Sequence, residues 1–349
     1  MNKTASLILP IIGNIIRPQA RPYFCTYITT WRCNARCQMC DIWEKKNTEE
    51  ISPEEVSRIF KQIPSLKIVR LSGGEPFLRK DFPDIIQAID GNRNISVIHI
   101  TTNGILTVDV VKALDKAYRA NIHLKISLNA YGKRHDEAMG VDGAYEKAMA
   151  TIEAIVNLRH RRNIFVGINQ TITNMESYCD SHNIRKLCRK YEMAYLPVLA
   201  YRGASLYGSE SSSTEFELYG DFTHAQIKEM LEDFIQEAGR VRDIRERCMK
   251  RYYLKGLYQR LVKGTCKPSP KCVALRKHIR ISPDGSVPVC LYNDATVGNV
   301  VRDSFKAVWE GEKAYSLRQW VDACKGCWVQ CETIPSAIFS RSMIFNLIS

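Results

Sequence analysis

Three cysteines stand at 33, 37 and 40 in the run WRCNARCQMCDIW, separated by three residues and then two. A structural zinc site wants four ligands, and a disulfide wants two thiols. Three thiolates in one short loop suit a metal centre that keeps a coordination position open. Six more cysteines follow residue 265, at 266, 272, 290, 324, 327 and 331. Close CxxC-type spacing inside an alternating strand and helix pattern points to metal rather than to disulfides. Cys25, Cys179, Cys188 and Cys248 stand alone, and each reads as a buried small hydrophobe.

The elements that must position the first triplet run from 24 to 200. Strands are predicted at 24–29, 67–72, 95–101, 122–128, 164–173 and 193–200. Helices fall between them, the clearest at 52–63, where Ser52 and Glu55 form a capping box and Pro53 opens the first turn. Six βα units with near-continuous apolar strands imply a parallel sheet, closed or partly closed as a barrel. After Ala200 the rhythm stops. A serine-rich connection leads to a helical stretch over 224–262 and then to the cysteine-bearing tail.

In parallel barrels chemistry sits at the C-terminal ends of the strands. Cys33, Cys37 and Cys40 follow the first strand, SGGEP (72–76) the second and TTNG (101–104) the third. Ser127 and Asn129 close the fourth, Asn169 and Gln170 the fifth, and YRGA (201–204) follows the sixth. Three thiolates can hold a [4Fe–4S] cluster by three of its irons, leaving the fourth for a chelating small molecule. Gly73 and Gly74 allow close backbone approach to a ligand, and Glu75 can receive an ammonium group.

The C-x3-C-x2-C loop, the GGEP run and the six βα units together resemble the radical S-adenosylmethionine (SAM) superfamily. The resemblance implies an α/β fold, a partial (β/α)6 TIM-like barrel, with a small C-terminal cysteine-rich α+β domain. It implies that Cys33, Cys37 and Cys40 hold a [4Fe–4S] cluster whose open iron is chelated by the methionine group of SAM. Gly73, Gly74 and Glu75 would receive the SAM amino group. Asn103, Ser127 and Asn169 are candidates for its carboxylate and ribose. Met39 stands where the family often has an aromatic residue against adenine, and a thioether makes a similar soft contact. Reductive cleavage of SAM would give a 5′-deoxyadenosyl radical that abstracts hydrogen from a substrate, with oxidation or maturation assisted by an auxiliary cluster.

The second cysteine set resembles the SPASM and Twitch auxiliary-cluster domains of the same superfamily. The final group is C-x2-C-x3-C, shorter than the full SPASM pattern, and no cysteine follows 331. The resemblance therefore implies one auxiliary [4Fe–4S] cluster, on Cys272, Cys290, Cys324 and Cys327. An alternative ligand set draws on Cys266 and Cys331, and a four-thiolate zinc site is the structural alternative. IRISPDGSVPVC also reads as a β-hairpin turned at Asp284-Gly285, returning Cys290 toward Cys272.

These readings divide the chain into an apolar N-terminal arm (1–23), the barrel (24–223), a helical connection (224–264), the auxiliary-cluster domain (265–334) and an apolar C-terminal tail (335–349). The chain has 349 residues and a formal charge of +13. That charge raises nucleic acid as a partner, but no RNA-binding signature with interleaved aromatics accompanies it, so none is expected. No apolar run is long enough to span a bilayer. The expected setting is cytoplasmic, with peripheral membrane contact through the two apolar ends as an alternative to their packing on the barrel. The expected partners are a peptide, sugar, cofactor precursor or lipid-linked substrate, and a one-electron donor such as flavodoxin or ferredoxin. The competing functions are a non-catalytic iron–sulfur scaffold and a zinc-containing nucleic-acid-binding protein.

Overall fold

The computed structural model describes residues 20–46, 49–202, 217–241, 244–265 and 270–340. The greater part of both apolar ends (1–19 and 341–349), most of the serine-rich connection and Cys266 lie outside the described residues.

Strands β1 (Phe24–Ile28), β2 (Ile68–Ser72), β3 (Val97–Thr102), β4 (Asn121–Ser127), β5 (Ile164–Ile172) and β6 (Ala194–Leu199) alternate with helices α1 (Pro53–Lys61), α2 (Phe82–Asp90), α3 (Thr107–Leu114), α4 (Lys133–Met139), α5 (Ala144–Arg162) and α6 (Met175–Lys190). The capping box predicted at Ser52 and Glu55 is formed, and Val56, Ile59 and Phe60 bury the inner face of α1. The basic run Arg159–Arg162 closes α5, where Arg159 donates to the Tyr191 carbonyl at 2.7 Å and Arg162 pairs with Asp115 at 2.9 Å. Cations at a helix C-terminus complement its dipole. That run is structural.

The main sheet has seven strands in the order β6-β5-β4-β3-β2-β1-β7, and all its pairings are parallel. Strand β7 (His278–Ile281) departs from the predicted hairpin. Its turn is present, with Gly285 at φ +82° and its amide donating to Ser282 O at 3.0 Å. But β7 pairs with β1, whose outer edge would otherwise leave its backbone groups unsatisfied. Past the turn, β8 (Ser286–Pro288) pairs antiparallel with β9 (Thr296–Asn299). The tail thus contributes one strand to the barrel before forming its own ribbon.

The helical stretch is broken into α7 (His224–Gly239) and α8 (Ile244–Leu261). Helices α9 (Phe305–Glu310), α10 (Glu312–Ala323) and α11 (Gln330–Ile338) complete the C-terminal part. Helix α11 crosses the boundary placed at 334/335, and Phe339 packs edge-on against Tyr23 and Phe24. The first part of the supposed tail is therefore packed on the barrel.

Alternation along the strands separates two environments. Tyr27, Val69, Leu71, Ile98, Ile100, Leu124 and Ile126 are fully buried beneath the helices. Thr26, Arg70, His99 and Lys125 instead line a cavity of about 970 Å³ walled by the opposite face of the sheet, α7, α8 and α11. Among the described residues no helix is long and apolar enough to cross a membrane.

Candidate functional site

Beyond β1 the chain runs through Thr29–Arg32 into the cysteine loop, and the GGEP loop lies directly against it. Gly74 N donates to Thr30 O at 2.9 Å and Glu75 N to Arg32 O at 2.8 Å. A Cβ on Gly74 would sit 2.0 Å from Arg32 O, and one on Gly73 (φ +144°) 2.4 Å from Thr30 O. These glycines are thus required first by the contact between two protein loops. Gly74→Ala should force the cysteine loop away from β2 at a cost of about 2–3 kcal/mol, read as a lower Tm.

Glu75 is 1% exposed. Its carboxylate accepts from Phe77 N at 3.2 Å, Thr102 Oγ1 at 2.9 Å and Asn103 N at 2.7 Å. Burial pushes its pKa up to about 7 against the lowering effect of these donors. Three of roughly four acceptor sites are filled within the protein, so the side chain braces the GGEP loop against the end of β3. Asn103 continues that brace, donating to Asn34 in the cysteine loop at 2.7 Å and accepting from Ile105 N at 3.0 Å.

Helix α4 closes the loop from another side. Arg36 N donates to Met139 O at 2.8 Å, and Cys37 Sγ lies 3.4 Å from Met139 Sδ. Met39 is half-buried in the tight turn between Cys37 and Cys40, where Cys40 N donates to Cys37 O at 3.1 Å. Burial raises the pKa of all three thiols, to about 12 for Cys37 and about 11 for Cys40. Cys33 and Cys40 each push that of Cys37 further, which places the three together. Ser127 and Asn169 are neighbours in register on β4 and β5, and among the described residues neither side chain has a hydrogen-bond partner. Gln170 and Asn129 instead belong to the packed side. Gln170 donates to Asn129 O and Ser177 O and accepts from the Tyr195 hydroxyl.

Cys272, Cys290, Cys324 and Cys327 line one pocket beneath Tyr292, Trp320 and Trp328. Burial raises the Cys290 thiol to about 12 and raises those of Cys272 and Cys327 as well. Cys331 is absent from that lining; its thiol is hydrogen-bonded with Arg280. Among the described residues no three His, Cys, Asp or Glu side chains converge as they would on one metal ion. The two cysteine regions share an apolar patch of Ile28, Trp31, Ile42, Leu291 and Val329, against which Cys33, Cys40, Cys327 and Cys331 pack. Of the lone cysteines, Cys25 and Cys188 are buried as predicted. Cys248 is half-buried and Cys179 is exposed, because its position on α6 faces away from the sheet.

Sequence reasoning missed Arg79, which is buried and donates to the Thr29 and Ile51 carbonyls at 3.0 and 2.9 Å, tying the lead-in of the cysteine loop to the start of α1. It also missed the cavity cations Arg70 and Lys125. A single charge inside the apolar runs IVRLS and IHLKIS was the available signal.

The Radical SAM superfamily model matches residues 27–182, and the SPASM iron–sulfur cluster-binding domain model matches 272–328. The chain belongs to the radical SAM superfamily, as an enzyme with a SPASM domain. Its cofactors are a [4Fe–4S] cluster and SAM, with an auxiliary iron–sulfur cluster in the SPASM domain. A probable GTP 3′,8-cyclase of Metallosphaera sedula is 30% identical over 280 residues, 77% of this chain and 80% of the relative. The GTP 3′,8-cyclases of Pectobacterium atrosepticum, Aquifex aeolicus and Clostridium perfringens match over half of their length or less. An AdoMet-dependent heme synthase of Methanosarcina barkeri is 24% identical over 322 residues, 89% of this chain and 88% of the relative. Streptococcus suis SuiB bound to SAM superimposes with a TM-score of 0.62 at 16% identity, covering 86% of this chain and 68% of SuiB. That likeness concerns the fold.

Proposed function

We propose that the enzyme cleaves SAM reductively at the Cys33, Cys37 and Cys40 site and removes hydrogen from a substrate held in the barrel, with net oxidation or maturation assisted by the SPASM centre. The observation that carries this reading is the braced pair of loops: three clustered thiols, with the GGEP backbone hydrogen-bonded along the residues that lead into them. When bound, the cluster and SAM supply a radical able to take an unactivated hydrogen. The chain's own part is positioning. Cys33, Cys37 and Cys40 hold three irons, and the backbone at Gly73 and Gly74 receives the SAM amino group. Glu75 fixes that backbone and offers its remaining acceptor site. Ser127 and Asn169, whose polar atoms await partners, receive the carboxylate and ribose, Asn103 orients the loop beside them, and Met39 flanks the adenine. Cys272, Cys290, Cys324 and Cys327 hold one auxiliary cluster, supported by their shared pocket and by the engagement of Cys331 with Arg280. A flavodoxin or ferredoxin supplies the electron.

One relative is named for GTP and another for making haem. Neither name fixes the substrate of this chain. Anaerobically reconstituted protein should carry about eight irons per chain, two four-iron centres, and form 5′-deoxyadenosine and methionine on reduction with SAM. Zinc retained in the four-thiol pocket, or no 5′-deoxyadenosine from fully loaded protein, would overturn the assignment.

A further inference from the structure

The cavity inside the barrel has Arg70, His99 and Lys125 among its lining, where parallel-barrel interiors are ordinarily packed with branched apolar side chains. Strand register arranges the lining residues Thr26, Arg70, His99 and Lys125 and their neighbours on the sheet in layers. Thr26, Arg70, His99 and His123 lie side by side across β1 to β4. The next layer toward the SAM end sets Ser72, Thr101 and Lys125 at successive positions, with Thr101 opposite Lys125. Ser127 follows Lys125 on the same face two residues on, about 7 Å along the strand.

Charge in this cavity is unbalanced. Lys250 is paired with Glu246 at 2.6 Å, and Arg185 with Asp233 at 2.9 Å. Arg70 and Lys125 have no ion-pair or hydrogen-bond partner among the described residues, although both line the cavity and Lys125 feels the charge of Arg70. His99 adds a buried Nδ1 that is also without a partner. Two basic side chains that face one cavity without a counter-charge repel each other, and a ligand that brings compensating charge relieves that repulsion. We propose that Arg70 and Lys125 form a subsite for a doubly charged anionic group of the substrate, a phosphate or a pair of carboxylates. This rests on the reading above and narrows it. The substrate is a small dianion whose charged end is anchored below SAM, with the rest of the molecule directed toward Ser127 and Asn169.

Burial lowers the Lys125 pKa to about 7, with Arg70 and Lys250 pushing the same way and Glu246 opposing. His123 on the same strand is held down at about 4 by burial and by Lys125, and His99 is lowered well below its usual range. Both imidazoles are therefore neutral at pH 7. Arg70 carries a full positive charge facing the subsite, Lys125 is about half protonated at pH 7 and is drawn to its charged form by a bound anion, and Lys250 is matched by Glu246.

The test is equilibrium titration of the anaerobically reconstituted full chain with inorganic pyrophosphate and, separately, with malonate, each at ionic strength matched with chloride. One or both should bind, the preferred probe distinguishing phosphate from dicarboxylate. Arg70→Gln and Lys125→Gln should each weaken that binding about tenfold to a hundredfold, whereas Lys186→Gln, on the exposed surface of α6, should not. Lys125→Arg should retain binding and lose the decline in affinity that the wild type shows as pH rises above 7. Lys125→Met should raise Tm at pH 7 by about 2–5 °C, since it removes a partly charged amine that faces Arg70 across the cavity. Wild-type protein that binds neither anion above the chloride control, or binding unchanged in the Arg70→Gln/Lys125→Gln double variant, would overturn the proposal. Continued 5′-deoxyadenosine formation with no anion binding would sink this inference while leaving the radical SAM reading intact.

Discussion

Replacing Cys33, Cys37 and Cys40 together with alanine should abolish 5′-deoxyadenosine formation, a loss of at least about a thousandfold, while the chain still folds. The expectation of total loss follows from the chemistry: cleavage requires an iron that accepts both an electron and the chelating end of SAM, and the proposed cluster has only these three thiolates to hold it. The expectation that folding survives follows from the backbone. The loop is held by Arg36 N to Met139 O and by Asn103 to Asn34, and none of these contacts involves a sulfur. Iron should fall to about half of the wild-type content, the remainder belonging to the four-thiol pocket. Chromatographic quantification of 5′-deoxyadenosine and iron analysis on one preparation read both outcomes. Appreciable turnover by the triple variant would remove Cys33, Cys37 and Cys40 from the mechanism.

Glu332→Gln should produce the largest stability change of any single charge removal. Glu332 is 4% exposed and lies on α11, where it pairs with Arg280 and, at 3.0 Å, with His278, both on β7. Burial by itself would raise its pKa, but Arg280 and His278 outweigh that and hold it at about 2. Removing the carboxylate leaves the Arg280 guanidinium, 2% exposed, without its counter-charge. Breaking such a pair costs about 3–5 kcal/mol. For a domain of this size that is a fall in Tm of roughly 10 °C. The pair also joins the C-terminal helix to the barrel, so hydrogen exchange should rise first in α11 and β7. The sign with pH is set by the lowered carboxyl pKa: the pair's contribution is full above the unfolded value near 4.5 and is lost as pH falls toward 2. A Glu332→Gln variant melting with the wild type at pH 7 would contradict this account.

The parts of the site that could be read in the sequence are those encoded by short-range spacing. The cysteine triplet, the GGEP run and the capping box at Ser52 each lie within a few residues, and each stands where it was predicted. The strand positions were also legible, because apolar runs broken by turn residues are a local signal. What Glu75 does was not legible. Its partners Thr102 and Asn103 are 27 and 28 residues away, and only the adjacency of β2 and β3 brings them to its carboxylate. The glycines before it likewise serve a loop contact that no spacing rule shows.

By itself, then, the sequence determined the class of fold and the place of the cysteine triplet in it, since periodicity and ligand spacing act within one loop or one element. Tertiary structure decided the rest. It decided that 278–281 joins the barrel, because β1 offered an unpaired parallel edge. It turned Cys331 toward Arg280 and set Cys272 and Cys290 in a pocket with Cys324 and Cys327, because packing across more than fifty residues fixes which face each thiol presents. It also gathered Arg70 from β2 and Lys125 from β4 into one cavity, because strand register alone determines which side chains share a layer.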